Sequence, residues 1–82
     1  MDETIRQVLE EHGKLAAETS SVGDDDDLYR LGLTSHASVN VMLALEDAFD
    51  VEFPDRLLRR QTFQSITMIR SALAEVRTPV EG

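Results

Sequence analysis

Ser35 is the residue whose type and position most favour covalent chemistry in this sequence. It follows Thr34 and precedes an uncharged, largely apolar run that predicts a helix. A phosphate ester on its hydroxyl would be stabilised there by unpaired backbone N–H groups and by the positive end of the helix dipole. The alternative is structural, because Ser and Thr are preferred helix caps, and spacing alone favours a cap. No Glu or Gln stands three residues after Thr34 or Ser35 to complete a capping box.

Catalytic and metal-binding chemistry find little support in the other residues. His36 is adjacent to Ser35, but neighbouring residues on a helix point about 100° apart, and a nucleophile needs its base within hydrogen-bond distance. The acidic run at 24–27 does not fit a calcium loop, because Tyr29 and Ser35 stand where that loop needs Gly and Glu. The absence of Cys excludes a thiolate metal site, a disulfide and a cysteine nucleophile. We therefore expect no catalytic residue and no metal site.

The acidic composition narrows the classes of partner. The chain has 82 residues, with 8 Lys and Arg against 16 Asp and Glu, and its net charge is −8. Nucleic acids and anionic membranes attract clustered basic residues, so we expect neither as a partner and favour a basic-rimmed protein surface. No signal-like segment and no apolar run of about 20 residues is visible, which predicts a cytoplasmic protein. The length allows one domain over 1–82, expected to be a monomer with a flexible tail at 77–82.

Helices dominate the predicted secondary structure, because Pro and Gly are few and no strand-like alternation is present. The predicted elements are a helix at 2–12, a loop at 18–34, a helix at 35–49, a short helix at 55–60 and a helix at 65–76. Gly13 is a candidate left-handed residue after the first helix, where His12 should lie at the edge of the core. Leu28 and Leu31 are expected to fix the long loop to the core. The fold class is therefore all-α, a small bundle of three main helices and one short helix.

The predicted second helix is apolar on two faces. At about 100° per residue, its core face is made of Val41, Met42, Leu45, Ala48 and Phe49. Val39 and Leu43, with His36 beside them, fall on the opposite side. Because an 82-residue bundle is too thin to bury both faces, the Val39–Leu43 stripe is either exposed for a partner or covered by the long loop. Acidic residues at the end of the helix would steer a basic-rimmed partner towards it.

The residues from 27 to 69 resemble the acyl carrier proteins. The shared pattern is a Leu-Gly pair at 31–32, a serine at 35, an apolar helix, an acidic end with Phe49, then Pro54 and the string TFQSITMI at 62–69. The resemblance implies a four-helix bundle with a 4′-phosphopantetheine arm, which a phosphopantetheinyl transferase adds to Ser35 from coenzyme A. The thiol of the arm would hold an acyl or aminoacyl group as a thioester, and the chain itself would be a non-catalytic carrier.

Departures from the usual family pattern favour a specialised carrier. The usual attachment triplet is Asp-Ser-Leu, whereas this chain has Thr34-Ser35-His36, which changes what a standard transferase and its magnesium would meet. Ala37 and Asn40 stand where carriers of fatty acid synthesis often bear acids. The string GLTSHASV at 32–39 is most similar to small aminoacyl carriers, which are loaded by amino acid:carrier protein ligases that resemble truncated seryl-tRNA synthetases.

The resemblance also implies partners and a docking surface. The expected partners are the transferase, the loading ligase and a downstream acceptor enzyme. The expected docking residues are Thr34, His36, Val39, Asn40, Leu43 and Asp47. Amino acid, fatty acyl and polyketide cargo all stay open, and so does an alternative of another class, an unmodified helical module that presents the same apolar face to a protein.

A basic cluster precedes the last predicted helix. It consists of Arg56, Arg59 and Arg60. These side chains are expected to offset the nearby Glu52 and Asp55, and contact with the phosphate of the arm or with a partner is the alternative.

Overall fold

Three α-helices form the framework of the chain, for which a computed structural model describes residues 2–15 and 18–77. They are α1 (Asp2–Val8), α2 (Ser35–Phe49) and α3 (Ile66–Arg77). A π-helical turn at Leu9–Gly13 continues α1, and 3-10 turns occupy Thr19–Ser21, Asp55–Leu57 and Arg60–Phe63. These ranges contain no strand, so the all-α prediction is confirmed. The part of the expected tail that follows Arg77 lies outside the described residues.

The predicted short helix at 55–60 is wrong as an α-helix. Two 3-10 turns stand there instead, separated by Leu58 and by an extended Arg59 with φ −143° and ψ 162°. The extended residue lets the chain bury Leu57 before the break and Phe63 after it. A single α-helix of six residues would also form few internal hydrogen bonds, so packing decides the local conformation.

The first helix ends differently from the prediction. Helical structure extends through Gly13, and the left-handed residue is Lys14, with φ 53°. Gly13 is buried. A Cβ atom added at this position would lie 3.7 Å from the Leu33 side chain, which is ordinary van der Waals contact. The residue that leaves the helix is therefore the exposed lysine, and the glycine stays in the packed interior. His12 is half-buried, which confirms its predicted position at the edge of the core.

The core lies between one face of each helix and the long loop. Its fully buried side chains are Ile5, Leu9, Leu28, Val41, Leu45, Ile66, Ile69 and Leu73. On α2 the buried face runs along Ala37, Val41 and Leu45, which recur at the four-residue spacing of a helix face. Met42 and Phe49 pack against this core, as predicted. The prediction for Ala48 is wrong, because this residue lies to one side of the buried face and is exposed.

The loop between α1 and α2 is held in place by buried leucine and by charged side chains. Leu28 is fully buried and its N–H donates to the Gln64 carbonyl at 2.7 Å, while Leu31 is half-buried, so both expected contacts are confirmed. Arg6 donates from Nη1 to the carbonyls of Thr19 at 2.6 Å and Val22 at 2.7 Å. The loop is therefore fixed to α1 and to the segment before α3.

Asp24 joins this loop to two helices. Its carboxylate accepts from Arg6 of α1 at 2.8 Å and from Arg70 of α3 at 3.1 Å. In the same acidic run, Asp26 accepts from the Gly23 N–H at 2.8 Å and thus closes a turn. Asp24 and Asp26 therefore serve the fold, and the part of the chain that the structure describes has no cluster of potential metal ligands.

The start of α2 is set by Thr34. Its Oγ1 accepts from the Ala37 N–H at 3.0 Å, and its backbone is extended, with φ −92° and ψ 165°. Of the two predicted candidates, Thr34 is the N-cap, so the interpretation of Ser35 as the cap is wrong. The predicted bounds of α2, 35–49, agree with the structure.

None of the helices described is long and apolar enough to cross a membrane.

We expect Asp24→Asn to lower Tm at neutral pH. The hydrogen bond from Arg70, assisted by its charge and by Arg6, holds the pKa of the Asp24 carboxyl below its usual 3.8, against a smaller opposing effect of partial desolvation. Because the folded pKa is lowered, this stabilisation is complete above pH 3.8 and is lost as pH falls through the folded value. Thermal unfolding from pH 7 to pH 2 should show the Tm difference between wild type and variant vanish at the acid end.

The exposed Asp25 provides the matched control for that measurement. Asp25→Asn makes the same change in net charge without removing either ion pair. Equal Tm changes in the two variants at neutral pH would mean that net charge, rather than the contacts of Asp24, sets the effect.

Replacement of the helix cap has a defined cost. We expect Thr34→Ala to lower the free energy of unfolding by about 0.5–2 kcal/mol, because the Ala37 N–H loses its acceptor. Thr34→Ser, which keeps the oxygen, should retain most of the stability. Urea denaturation of the three proteins measures the difference, and equal losses in both variants would assign the effect to the methyl group instead of the hydrogen bond.

Candidate functional site

The Ser35 hydroxyl is free at the start of α2. Ser35 is exposed, and within the described ranges its hydroxyl forms no hydrogen bond; its carbonyl accepts from the Ser38 hydroxyl at 2.7 Å. Because Thr34 already caps the helix, modification of Ser35 would not remove the cap. The first turn of α2 contains no acidic residue, so no carboxylate there offsets the positive helix end. The position therefore suits an added phosphate.

The apolar stripe of α2 is exposed. The exposed fraction is 50% for Val39 and 53% for Leu43. The alternative in which the long loop covers them is wrong, because both side chains are exposed and the loop is tied to α1 and α3. The remaining predicted docking residues, Thr34, His36, Asn40 and Asp47, are exposed as well.

These predicted docking residues do not share one cavity. Val39 lines a groove with Ser35, whereas Leu43 and Asp47 line a second cleft between α2 and α1, opposite Glu11. The exposed ridge of α2 between the groove and the cleft, called the crest below, carries the apolar side chains of Val39 and Leu43. A partner that covers this crest would thus reach Ser35 on one side and an acidic cleft on the other.

The groove beside Ser35 has a volume of about 330 Å³. It runs between α2 and the two 3-10 turns that precede α3. Its walls are mostly apolar, and its lining residues include Val39, Met42, Leu58, Arg59 and Arg60. Sequence analysis identified the serine and the arginines separately, but not the cavity that joins them.

Tyr29 also lines this groove and was missed by the sequence analysis. Its hydroxyl donates to the Arg60 carbonyl at 2.8 Å, and the Arg60 guanidinium lies 3.8 Å from its ring centroid. Burial raises the pKa of Tyr29, with a small contribution from the Asp27 carboxylate, while Arg60 and the Ser38 hydroxyl act in the opposite direction. The signal that the sequence offered was its position directly after Leu28, which was already expected to fix the loop to the core.

The basic cluster is divided between two tasks. Arg56 forms an ion pair with Glu75 of α3, so the expectation that it offsets Glu52 and Asp55 is wrong. The 3-10 turn at Asp55–Leu57 directs Arg56 towards α3, and Arg59 and Arg60 line the groove instead.

The residues present fit a phosphopantetheine arm. An exposed hydroxyl at a positive helix end offers an attachment point, and the adjoining groove offers cations and apolar walls. When bound, the arm would supply a thiol, which this Cys-free chain lacks. No side-chain arrangement for self-contained catalysis surrounds the hydroxyl in the described ranges, since His36 is exposed and makes no contact with it.

Comparison with known proteins identifies related chains over nearly the whole length. The family model described as "Phosphopantetheine attachment site" matches residues 3–75. An aminoacyl carrier protein of Agrobacterium fabrum (strain C58) is 47% identical over 73 residues, which cover 89% of this chain and 88% of that protein.

Solved structures agree with this result. A crystal structure of an engineered Bradyrhizobium japonicum glycine:[carrier protein] ligase with a carrier protein from Agrobacterium tumefaciens and AMP matches with a TM-score of 0.87 and 46% identity, over 89% of this chain and 97% of that chain. A crystal structure of the B. japonicum ligase with glycylated carrier protein matches with a TM-score of 0.73 and 28% identity, over 87% and 95% of the two chains.

The match to the family model spans almost all of the chain, and the curated relative is similar over nearly its full length. The expected family resemblance is therefore confirmed, together with 4′-phosphopantetheine as the prosthetic group and with a non-catalytic role. This chain belongs to the phosphopantetheine attachment-site family of carrier proteins.

Proposed function

We propose that this chain carries an aminoacyl group as a thioester on a 4′-phosphopantetheine arm attached to Ser35. The observation that supports this assignment is the free Ser35 hydroxyl at the start of a helix whose cap is Thr34. In the attachment reaction, the Ser35 oxygen would form the new phosphodiester bond with the pantetheine-bearing phosphorus of coenzyme A, and the nucleotide would leave. The hydroxyl proton would pass to a base of the transferase, because no described residue accepts it.

The aminoacyl cargo is inferred from the relatives. The curated relative at 47% identity is an aminoacyl carrier protein, and matched structures contain a glycine:[carrier protein] ligase. A ligase of that class would load a small amino acid onto the arm of this chain. Fatty acyl and polyketide cargo have no such support among the relatives named above.

The docking surface in this proposal is the crest of α2. Val39 and Leu43 would provide apolar contact, and the exposed Thr34, His36 and Asn40 would surround it. The net charge of −8, with Asp47 at the acidic end of the helix, would attract a basic-rimmed partner and lose influence as salt increases. The partners would be a phosphopantetheinyl transferase, the ligase and an acceptor enzyme.

The finer architectural and cellular assignments belong to the same proposal. The two 3-10 turns would take the place of the short helix of a four-helix carrier bundle. A cytoplasmic location is proposed because the carrier must meet coenzyme A, the transferase and the ligase in one compartment.

The attachment point is tested by Ser35→Ala. With coenzyme A and a promiscuous phosphopantetheinyl transferase, intact-mass spectrometry should detect one added phosphopantetheine on the wild type and none on the variant. Thermal unfolding should give nearly equal Tm values, since Ser35 is not the cap. An arm on Ser35→Ala would refute this site. A wild-type chain that is never modified, even when isolated from its native host, would instead favour the unmodified interaction module.

The docking surface is tested by Leu43→Glu. We expect kcat/KM for loading by a glycine:carrier protein ligase to fall about tenfold or more, as for an apolar residue at the centre of an interface. Met68→Glu is the matched control, because Met68 is 44% exposed on α3 and the charge change is the same. Both variants should keep Tm close to that of the wild type. Equal losses of loading in both would contradict a docking role for Leu43.

A further inference from the structure

The groove beside Ser35 differs in charge from the rest of the chain. The whole chain has a net charge of −8, yet the residues that line this groove include Arg59 and Arg60 and no carboxylate. The other lining side chains are apolar or carry hydroxyl groups. A local positive potential arises in an acidic protein where cations lie together without carboxylates. Arg59 and Arg60 lie together in this way in the groove that Ser35 also lines.

We infer that this groove is the resting seat of the chain's own phosphopantetheine arm, an inference that rests on the proposed function. The arm begins with a phosphodiester anion at Ser35, and guanidinium groups are strong partners for phosphate oxygens. Val39, Met42 and Leu58 provide apolar contact for the methyl-bearing part of the arm. Tyr29 and Ser38 line the same groove, and their hydroxyl protons already donate to backbone carbonyls, so their oxygens can accept from the amide N–H groups of the arm.

The two arginines contribute differently to the seat. Arg60 is held in place, because its guanidinium stacks on the Tyr29 ring at 3.8 Å while its carbonyl accepts from the Tyr29 hydroxyl. The Arg59 side chain is exposed and has no ion-pair partner in the described part of the chain. Arg59 is thus available to pair with the phosphodiester without giving up an existing contact.

Because the arm is covalently attached, even weak binding to the groove is sufficient to occupy it. A ligand on a short flexible tether has an effective concentration on the order of millimolar. A groove with a dissociation constant in that range would be about half occupied at any moment. The arm would then alternate between the groove and solvent, and a partner docked over the exposed Val39 and Leu58 would meet it at the rim.

The groove contains its own spectroscopic reporter. Tyr29 is the single Tyr of the chain, and there is no Trp, so tyrosine fluorescence reports on this site alone. We expect conversion to the phosphopantetheine form, verified by intact mass, to lower the acrylamide Stern–Volmer constant about twofold, as half occupancy predicts. The nearby phosphodiester anion should also raise the pKa of Tyr29 further, which ultraviolet titration detects. Ser35→Ala treated in the same way should change neither signal.

The role of Arg59 is tested with a charge-matched pair of variants. Arg59→Gln should reduce the protection of Tyr29 that follows arm attachment, whereas Arg30→Gln should retain it, because Arg30 is exposed and does not line the groove. Arg60 is left intact, since its stack on Tyr29 would alter the reporter itself. Higher salt should weaken the protection in the wild type more than in Arg59→Gln.

The outcomes separate the seat from the carrier function. A chain that gains the arm but shows unchanged quenching has an arm that projects into solvent, which overturns the seat and leaves the carrier function intact. Equal protection in Arg59→Gln and Arg30→Gln overturns the phosphate contact. A chain that never gains the arm overturns both the proposed function and the seat.

Discussion

The hydrogen bond from the Ala37 N–H to Thr34 Oγ1 fixes where α2 begins, and the rest of the site depends on that position. A helix that starts here turns Ala37, Val41 and Leu45 towards the core. The same helical phase turns the crest towards solvent, because residues on opposite sides of a helix cannot both face a thin core. Thr34 also releases its neighbour Ser35 from the capping role that spacing alone would assign to it. One side-chain oxygen of Thr34 therefore caps the helix and leaves the Ser35 hydroxyl without a structural role.

Exposure of the α2 crest also requires that the long loop stay away from it. Asp24 provides this restraint, since it pairs with Arg6 on α1 and with Arg70 on α3, and Leu28 anchors the segment that follows. A run of four aspartates would otherwise favour an extended, mobile loop through mutual repulsion. Pairing of its first member with two cations directs the loop to the α1–α3 side. The fold thus leaves the apolar crest of α2 exposed by fixing the loop to α1 and α3.

The helical framework could be predicted from the sequence, and the contacts that build the groove could not. The span 35–49 of α2 agreed with the structure because a helix repeats about every 3.6 residues and ends at recognisable local signals. The pairing of Asp24 with Arg70 joins residues 46 positions apart, and local periodicity carries no information about such a pair. The Tyr29–Arg60 stack has the same origin, since it forms only after the loop and the 3-10 turns have packed together. The span of α2 could therefore be predicted from the sequence. The residues that line the groove beside Ser35 could not, because tertiary structure brings them together.

The net negative charge of the chain and the two arginines of the groove act over different distances. Its net charge of −8 acts at a distance and can orient a basic-rimmed partner before contact, although exposed charges are screened beyond about 10 Å at 0.1 M salt. Arg59 and Arg60 line a groove without carboxylates, where they would act on the arm at contact distance. An entirely acidic surface would repel a phosphodiester attached to Ser35, and an entirely basic one would lose the attraction for partners with basic rims. Placement of Arg59 and Arg60 beside Ser35 would allow one small bundle to keep an anionic arm close while its net negative charge attracts partners with basic rims.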